Sequence, residues 1–446
     1  MSTRPRVAFI SEHAGPLAAL GGEDSGGQNV YVAEVTRNLA RLGFDVDIFV
    51  RGDGSQPTVV EWSPSVRVIH LQVGPPGFLP KDDLWPLMPA FRDALLAFAR
   101  GQVRRSTRAR RSPYALIHSN FWMSGWVAVE LKERLELPVA HIFHATGVTK
   151  RRYQGEADTS PDERIDVEKR IIREVDRILA QCPAEFEELL TEYGADPGKI
   201  AITPAGVDLQ RFRPMGRLAA RAELGLDPDA FTIVYVGRMV RRKGVRNILR
   251  ALPFLLAAAG TGRPIHLLAV GGESAEPDPA LSPELGTLQT LAAELGVTQH
   301  VTFTGARPPD ELYKYYSAGN VVVTTPWYEP FGLTPLEAMA CARPVVGAAV
   351  GGIQYTVRDG LTGLLVPPRA PEQLAAALRR FLDEKRLAVT MGMAARARVE
   401  KQFSWPRVAE RIAAVYRGLM SEQPRPVVRL PRHPSTQPGE AVYGAD

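Results

Sequence analysis

The chain has 446 residues, of which 45% are apolar and 23% charged, and a net charge of +5. That is too long for one ordinary core, so two globular domains of about 200 residues are expected. No stretch approaches the roughly 18 uncharged apolar residues of a membrane-spanning helix, so no such helix is expected.

The N-terminal MSTRPRVAFIS holds only a short apolar run and reads as a first strand, not a signal peptide. Cys182 and Cys341 stand far apart without metal-type spacing. A reduced cytoplasmic protein follows as the expectation. Strands are expected at Val7–Ser11, Asp45–Val50, Val66–Gln72, Leu116–Asn120, Val139–His144, Arg177–Gln181 and Lys199–Thr203. Helical signals fall between many of them, which predicts a doubly wound α/β sheet.

After the first strand comes a loop with Gly21, Gly22, Gly26 and Gly27, then a helix from Gln28 to Arg41 with Val32, Val35, Leu39 and Leu42 on one face. A glycine pair opening a helix lets backbone approach a phosphate. Neither a dinucleotide fingerprint nor a Walker loop fits its spacing; a plain loop is the competing reading. Asp45 and Asp47 share one face of a strand, with no turn to wrap an ion. The basic run RRSTRARR, Arg104–Arg111, reads first as a solvated helix end. Its sharper reading is contact with anionic lipid at the inner face of the membrane, worth about 1 kcal/mol per basic residue. No aromatic residues interleave with these arginines, so nucleic acid is not expected as a partner.

His118 and His144 lie in or at the ends of strands, where histidines are more often structural. His144, however, opens HATGVTK at the end of an apolar strand that should point into a crevice. The polar segment Tyr153–Glu168 leads into a helix carrying Arg164.

Residues 204–230 change character, and Gly206 and Pro214 bracket a hinge. A second alternating series follows, with strands at Phe231–Val236, Ile265–Val270, Val301–Thr304, Val321–Thr324, Pro344–Ala348 and Leu364–Val366. After its first strand, GRMVRRKG sets Arg238 and Lys243 at the mouth of the second sheet, either as a basic loop or as two cations facing a diphosphate. Arg307-Pro308-Pro309 follows another strand, where a guanidinium could stack on a base. The stretch Pro326–Ala340, PWYEPFGLTPLEAMA, leaves a buried strand, turns at Gly332 and enters a helix. Thr334 suits its N-cap and Pro335 its first turn, and Glu337 would close a capping box with Thr334. Glu329 has no such structural role. Glu329 and Glu337 around a helix N-terminus form a polar cup for a diphosphate and its hydroxylated groups. A helix near Trp405–Leu419 closes the fold, and a Pro- and Arg-rich tail, 422–446, is expected to be disordered.

The block E-P-F-G-L-x-x-L-E-A-M-A resembles the E-x7-E motif of retaining glycosyltransferases of family 4. With GGQNVYVAEVTRNLARLG, GVDLQRF, VGR…RKG, ARPP and VGG in this order, the resemblance covers nearly the whole chain. It is nearest to sucrose-phosphate synthases and D-inositol-3-phosphate glycosyltransferases. The resemblance implies the GT-B fold: two Rossmann-like domains facing across a cleft. The first, 1–207, would bind the acceptor and be completed by the helix at about 403–421; the second, 208–402, would bind the nucleotide-sugar donor. It further implies that Arg238 and Lys243 hold the donor diphosphate, with Gly26 and Gly27 against it from the other domain. Glu337 would hold ribose hydroxyls and Arg307 would pack on the base. Glu329, His144 and the amides of Phe331, Gly332 and Leu333 would meet the transferred sugar. On the acceptor side stand Asn29, Lys81 and Arg164, with Phe121 and Ala145 where the inositol-phosphate enzymes carry a tyrosine and a threonine. The implied activity is transfer of a hexose to a small sugar or sugar-phosphate. UDP-glucose is the favoured donor and ADP- or GDP-sugars the alternatives, with no further cofactor and no essential metal. A nucleotide-sugar epimerase of the same fold is the rival enzyme; a non-catalytic sugar-nucleotide binder would be expected to have lost Arg238, Lys243 or Glu329, and it has lost none.

Overall fold

The computed structural model describes residues 4–17, 26–104, 112–259, 262–384 and 386–422. Gly21, Gly22, most of the basic run after Arg104, and the tail from 423 lie outside them. Two parallel-sheet α/β domains are present. The first sheet comprises β1 (Arg6–Ile10), β2 (Asp45–Gly52), β3 (Val59–Ser63), β4 (Val66–Gln72), β5 (Leu116–Asn120), β6 (Val139–Ile142), β7 (Arg177–Ala180) and β8 (Ile200–Ile202). Its order is β3-β4-β2-β1-β5-β6-β7-β8, parallel except for the β3–β4 pair. The second sheet comprises β9 (Phe231–Val236), β10 (Ile265–Val270), β11 (Val301–Phe303), β12 (Val321–Thr324), β13 (Val345–Ala348) and β14 (Gly363–Val366), in the order β11-β10-β9-β12-β13-β14.

The central strands are continuous apolar runs because helices cover both faces. β9 is buried along all six residues, and β12 along all four. The edge strand β3 was not expected from the sequence. Its residues are only partly covered, and its register shifts between Glu61 and Ser63.

The closing helix, Trp405–Glu422, returns to the first domain. The Tyr416 hydroxyl meets His118 Nδ1 at 2.5 Å in the middle of β5, and its ring packs edge-on against Phe44. His118 is wholly buried and stacks on Phe9, so its role is structural. The Val207 N–H donates to Phe403 O at 2.8 Å, tying the start of the connecting segment to the approach of that helix. Asp47 is buried under a two-pronged contact from Arg67, at 2.8 and 2.7 Å, and accepts the Tyr114 hydroxyl at 2.9 Å. The Asp45–Asp47 pair is thus engaged by cations and a phenol.

Candidate functional site

Each sheet reverses its strand order beside its first strand: β2 and β5 flank β1, and β10 and β12 flank β9. Open parallel sheets bind ligands outside the carboxyl ends of strands at such points. Here those ends look into one cleft. β1 runs on to His13, β5 to Phe121 and β6 to His144; β9 runs on to Arg238 and β12 to Tyr328 and Glu329. A cavity of about 650 Å³ lies between the domains. Gly26, Gly27, Asn29, Lys81, Phe121 and His144 line it from the first domain, with Arg164 and Lys150. Arg238, Arg242 and Tyr328 line it from the second. An adjoining cavity of about 240 Å³ shares Ala145 and Tyr328 with it and is lined by Glu329.

Two helix amino ends meet in this cleft. Gly26 caps the Gly27–Arg41 helix, and its N–H donates to the Asn29 side chain at 3.0 Å. Asn29 is itself held, donating to Gly15 O at 3.0 Å. A Cβ added at Gly27 would sit 3.6 Å from Leu333, the first residue of the Leu333–Ala340 helix. Both helix ends present free N–H groups and positive partial charge to the same space, a ready anion site. Arg238 is exposed beside it, and its guanidinium has no hydrogen bond or ion pair among the described residues.

The Lys243 ammonium bonds the Glu329 carboxylate. Burial would raise the Glu329 carboxyl, but Lys243 and Arg242 overcome it and hold the group below its ordinary range. The loop around Glu329 is set by close backbone packing. Gly351, at φ +43°, would place a Cβ 2.1 Å from the Glu329 carbonyl oxygen, and the Gly352 N–H donates to that oxygen at 3.1 Å. No side chain fits there.

The capping box expected of Thr334 and Glu337 does not form. Gly332, at φ +86°, is the N-cap, and the helix starts at Leu333, ahead of Thr334. Glu337 therefore lies too far along the helix to reach back to its first turn. Its carboxylate accepts the Tyr316 hydroxyl at 2.6 Å, while Thr334 Oγ1 meets Val236 O at 3.4 Å. Burial raises the Glu337 carboxyl and the Tyr316 bond partly offsets this. Phe331 is buried, near Phe403. Arg307 donates to Ala275 O at 2.9 Å, which fixes it at the end of β11.

His144 and Phe121 adopt φ of +60° and +72°, uncommon for side chains of this bulk. Both lie at the carboxyl ends of strands in the cleft, where such backbone strain is often tied to function. Asn120 Nδ2 donates to Ile10 O, which turns its Oδ1 towards His144 Nε2 at 3.0 Å. Gln181 Nε2 approaches His144 Nδ1 at 3.1 Å. These partners select the Nε2–H tautomer. Burial and neighbouring His13 lower the imidazole to about 3, so it is neutral near pH 7.

Arg164 is nearly fully buried. It pairs with Glu168 at 2.8 Å, donates to Ser160 at 3.0 Å and to Ala145 O at 2.6 Å, and lies over the Phe121 ring. Three of its five donors are thereby used, leaving two for the cleft. Lys81 lies 3.8 Å from Asp82, which also sits 3.8 Å from Lys150. Lys150 pairs with Asp158 at 3.0 Å.

Sequence reading did not single out His13, Lys150, Arg242 or Tyr328. His13 follows β1, so the rule that ligands gather at strand carboxyl ends could have found it. Tyr328 could not be found that way: its part is set by contacts across the cleft. It stacks on Tyr153 with centroids 5.0 Å apart and accepts a bond from Gln154. Among the described residues no group of three or more His, Cys, Asp or Glu side chains could hold a metal ion.

Comparisons with known proteins decide the family. The family described as Glycosyl transferases group 1 matches residues 217–398, and Glycosyltransferase Family 4 matches residues 25–211. The D-inositol 3-phosphate glycosyltransferase of Streptomyces bingchenggensis is 39% identical over 94% of this chain and 90% of its own. That of Kineococcus radiotolerans is 38% identical over 95% and 97%. This chain belongs to the group 1 glycosyltransferases. A solved sucrose-phosphate synthase from Thermosynechococcus elongatus superposes with a TM-score of 0.82 at 36% identity, over 94% of this chain and all of its own. Anabaena HepE, solved with UDP and glucose, matches in fold alone, with a TM-score of 0.70 at 19% identity over 93% of this chain and 100% of its own. The fold is therefore GT-B, and the activity is sugar transfer from a nucleotide sugar.

Proposed function

We propose that this glycosyltransferase moves a hexose, glucose by preference from UDP-glucose, to a hydroxyl of a small phosphorylated sugar, with retention at the anomeric carbon. The observation that carries the reading is the meeting of the two helix amino ends, Gly27 and Leu333, beside Arg238 and the Lys243–Glu329 pair. When the sugar–diphosphate bond breaks, negative charge builds on the diphosphate. Arg238, Lys243 and the helix N–H groups are set out in advance to meet it, which is commonly the largest catalytic term. The second domain is then the donor domain. Glu337 holds the ribose, Arg307 packs on the base, and Glu329 and the Phe331–Leu333 amides hold the transferred sugar with His144. Because His144 is neutral and its Nε2–H is engaged by Asn120, it serves as a polar contact and not as an acid. The acceptor domain supplies Asn29, Lys81 and Arg164 to the acceptor, and Lys150 adds positive charge to the same wall.

A phosphorylated acceptor suits that basic wall, and relatives of this chain are named for one, D-inositol 3-phosphate. Inositol 3-phosphate is the second reading, favoured by the 39% identity to enzymes of that name. The test is a matrix of UDP-, ADP- and GDP-glucose against fructose 6-phosphate, inositol 3-phosphate and unphosphorylated sugars, with the product anomer read by NMR. Product carrying the donor's anomeric configuration is expected. Epimerised nucleotide sugar without acceptor, or an inverted linkage, would overturn the reading.

A further inference from the structure

The geometry points to a second anion-binding site on the second domain, lined by residues that the two cleft cavities do not share, for a soluble small molecule carrying two or more phosphate charges. The inference does not depend on the acceptor or donor assigned above. A cavity of about 560 Å³ is lined by Arg241, Arg246, Arg250 and Arg369, with Trp327 and Asn247 among the rest, and by no carboxylate. Arg246 is neutralised by Glu284, in a two-pronged contact at 2.8 and 2.6 Å. Arg250, Arg241 and Arg369 are exposed, and their guanidinium groups have no hydrogen bond or ion pair among the described residues; the last two lie over the Trp327 ring at 5.5 and 4.2 Å. Three guanidinium groups therefore share one concave space without a counter-charge, an arrangement that an incoming anion relieves.

Two further features set the ligand's chemistry. The cavity opens on the amino end of the 15-residue Val245–Ala259 helix, whose first N–H groups lack intrahelical partners; the Gly244 N–H itself donates to Arg241 O and the Asn247 N–H to Gly244 O. Asn247, in that turn, is 7% exposed, and its amide Nδ2 has no hydrogen-bond partner. An unpartnered buried donor beside three unpaired guanidiniums calls for an acceptor with several oxygens, which a phosphate supplies and guanidinium binds in two-pronged fashion. The indole of Trp327 adds a flat apolar wall. The site shares its loops with the cleft: Arg241 opens the turn that ends in Lys243, and Trp327 stands two residues before Glu329.

Inorganic pyrophosphate is the probe. Titration calorimetry is run on Arg238→Ala, which weakens the cleft's own diphosphate contacts, and on Arg238→Ala carrying Arg250→Ala and Arg369→Ala. Arg238→Ala is expected to retain one pyrophosphate site. The triple variant is expected to bind at least about tenfold more weakly, with its thermal midpoint unchanged. Should the triple variant fold poorly, Arg250→Gln with Arg369→Gln replaces the alanines. Equal binding by the two proteins would overturn the inference, as would loss of all binding in Arg238→Ala alone. Co-sedimentation with phosphatidylserine vesicles that needs Arg250 and Arg369, without binding of free pyrophosphate, would overturn the soluble ligand in favour of a membrane. Sugar transfer by the Arg250→Ala/Arg369→Ala protein, measured apart, reports on the cleft and leaves the two readings separable.

Discussion

The Lys243 ammonium is bonded to the Glu329 carboxylate, so the cation proposed to meet a leaving diphosphate is held in place by the carboxylate proposed to hold the sugar. Both side chains are largely covered, at 22% and 14% exposure, and neither packs in a core cluster. Lys243→Ala should therefore reduce kcat/KM for transfer by about 100- to 1000-fold, the usual loss for one preorganised charge stabiliser. The thermal midpoint should move by no more than a few degrees. Steady-state rates and a melting curve check this, and near-parent turnover would remove Lys243 from the diphosphate.

Glu337 is held by Tyr316 and does not close a capping box. If its carboxylate also takes ribose hydroxyls, Glu337→Gln loses charge-assisted bonds of about 1.5–3 kcal/mol each. The donor Michaelis constant should rise about tenfold or more, because Gln keeps the shape and can still accept from Tyr316. Stability should change little. An unchanged donor constant would confine Glu337 to holding the Tyr316 helix.

Fold and site were legible in the sequence to different degrees. β4, β5, β9, β10 and β12 have the bounds the sequence suggests, and of these β9, β10 and β12 announce themselves as largely apolar runs buried on both faces. β3 escaped because half of an edge strand faces water, which leaves VVEWS without a clear signature. The glycine and arginine positions of the cleft were readable because strand ends and helix starts are local features. The partner of Glu337 was not: Tyr316 comes from a different helix, which precedes β12 in the chain, and no spacing rule reports a contact made by folding. For Arg164 the i,i+4 spacing to Glu168 does suggest a pair on one helix face, but not that the pair is buried, at 1% and 0% exposure.

Glu185 gives a pH signature. Its carboxyl lines the smaller cavity, and burial pushes it up to about 8, against an ordinary 4.5; the Gln181 N–H opposes this and Glu188 adds to it. Between those values the folded chain keeps a proton that the unfolded chain has released. Stability therefore falls as pH rises from about 4.5, and the loss is complete above about 8. The effect is on the order of a few kcal/mol at most. Glu185→Gln should flatten the decline, since an amide oxygen can still accept from the Gln181 N–H. Melting curves from about pH 5 to pH 9 decide it: parallel declines in parent and variant would assign the slope to other groups.

The pocket proposed for the acceptor carries no side-chain hydroxyl at Phe121 or Ala145, where the resemblance to inositol-phosphate enzymes implies a tyrosine and a threonine. Phe121, at φ +72°, turns its ring towards His13 and Arg164, and Ala145 gives only its carbonyl, to Arg164. A polar group of the substrate that is buried without a partner there costs about 1–3 kcal/mol. Inositol 3-phosphate should therefore be a poorer acceptor than fructose 6-phosphate, even though the overall identity to inositol-phosphate enzymes is 39%. Phe121→Tyr with Ala145→Thr should raise the specificity constant for inositol 3-phosphate, because tyrosine fits the same backbone and both changes add a hydroxyl to the pocket wall. The measurement is kcat/KM for both acceptors, with one active donor, in parent and double variant. If the parent prefers inositol 3-phosphate by more than about tenfold, roughly 1.4 kcal/mol at the transition state, two missing hydroxyls do not set acceptor choice. Recognition would then rest with Lys81, Lys150 and the two donors that Arg164 has left for the cleft.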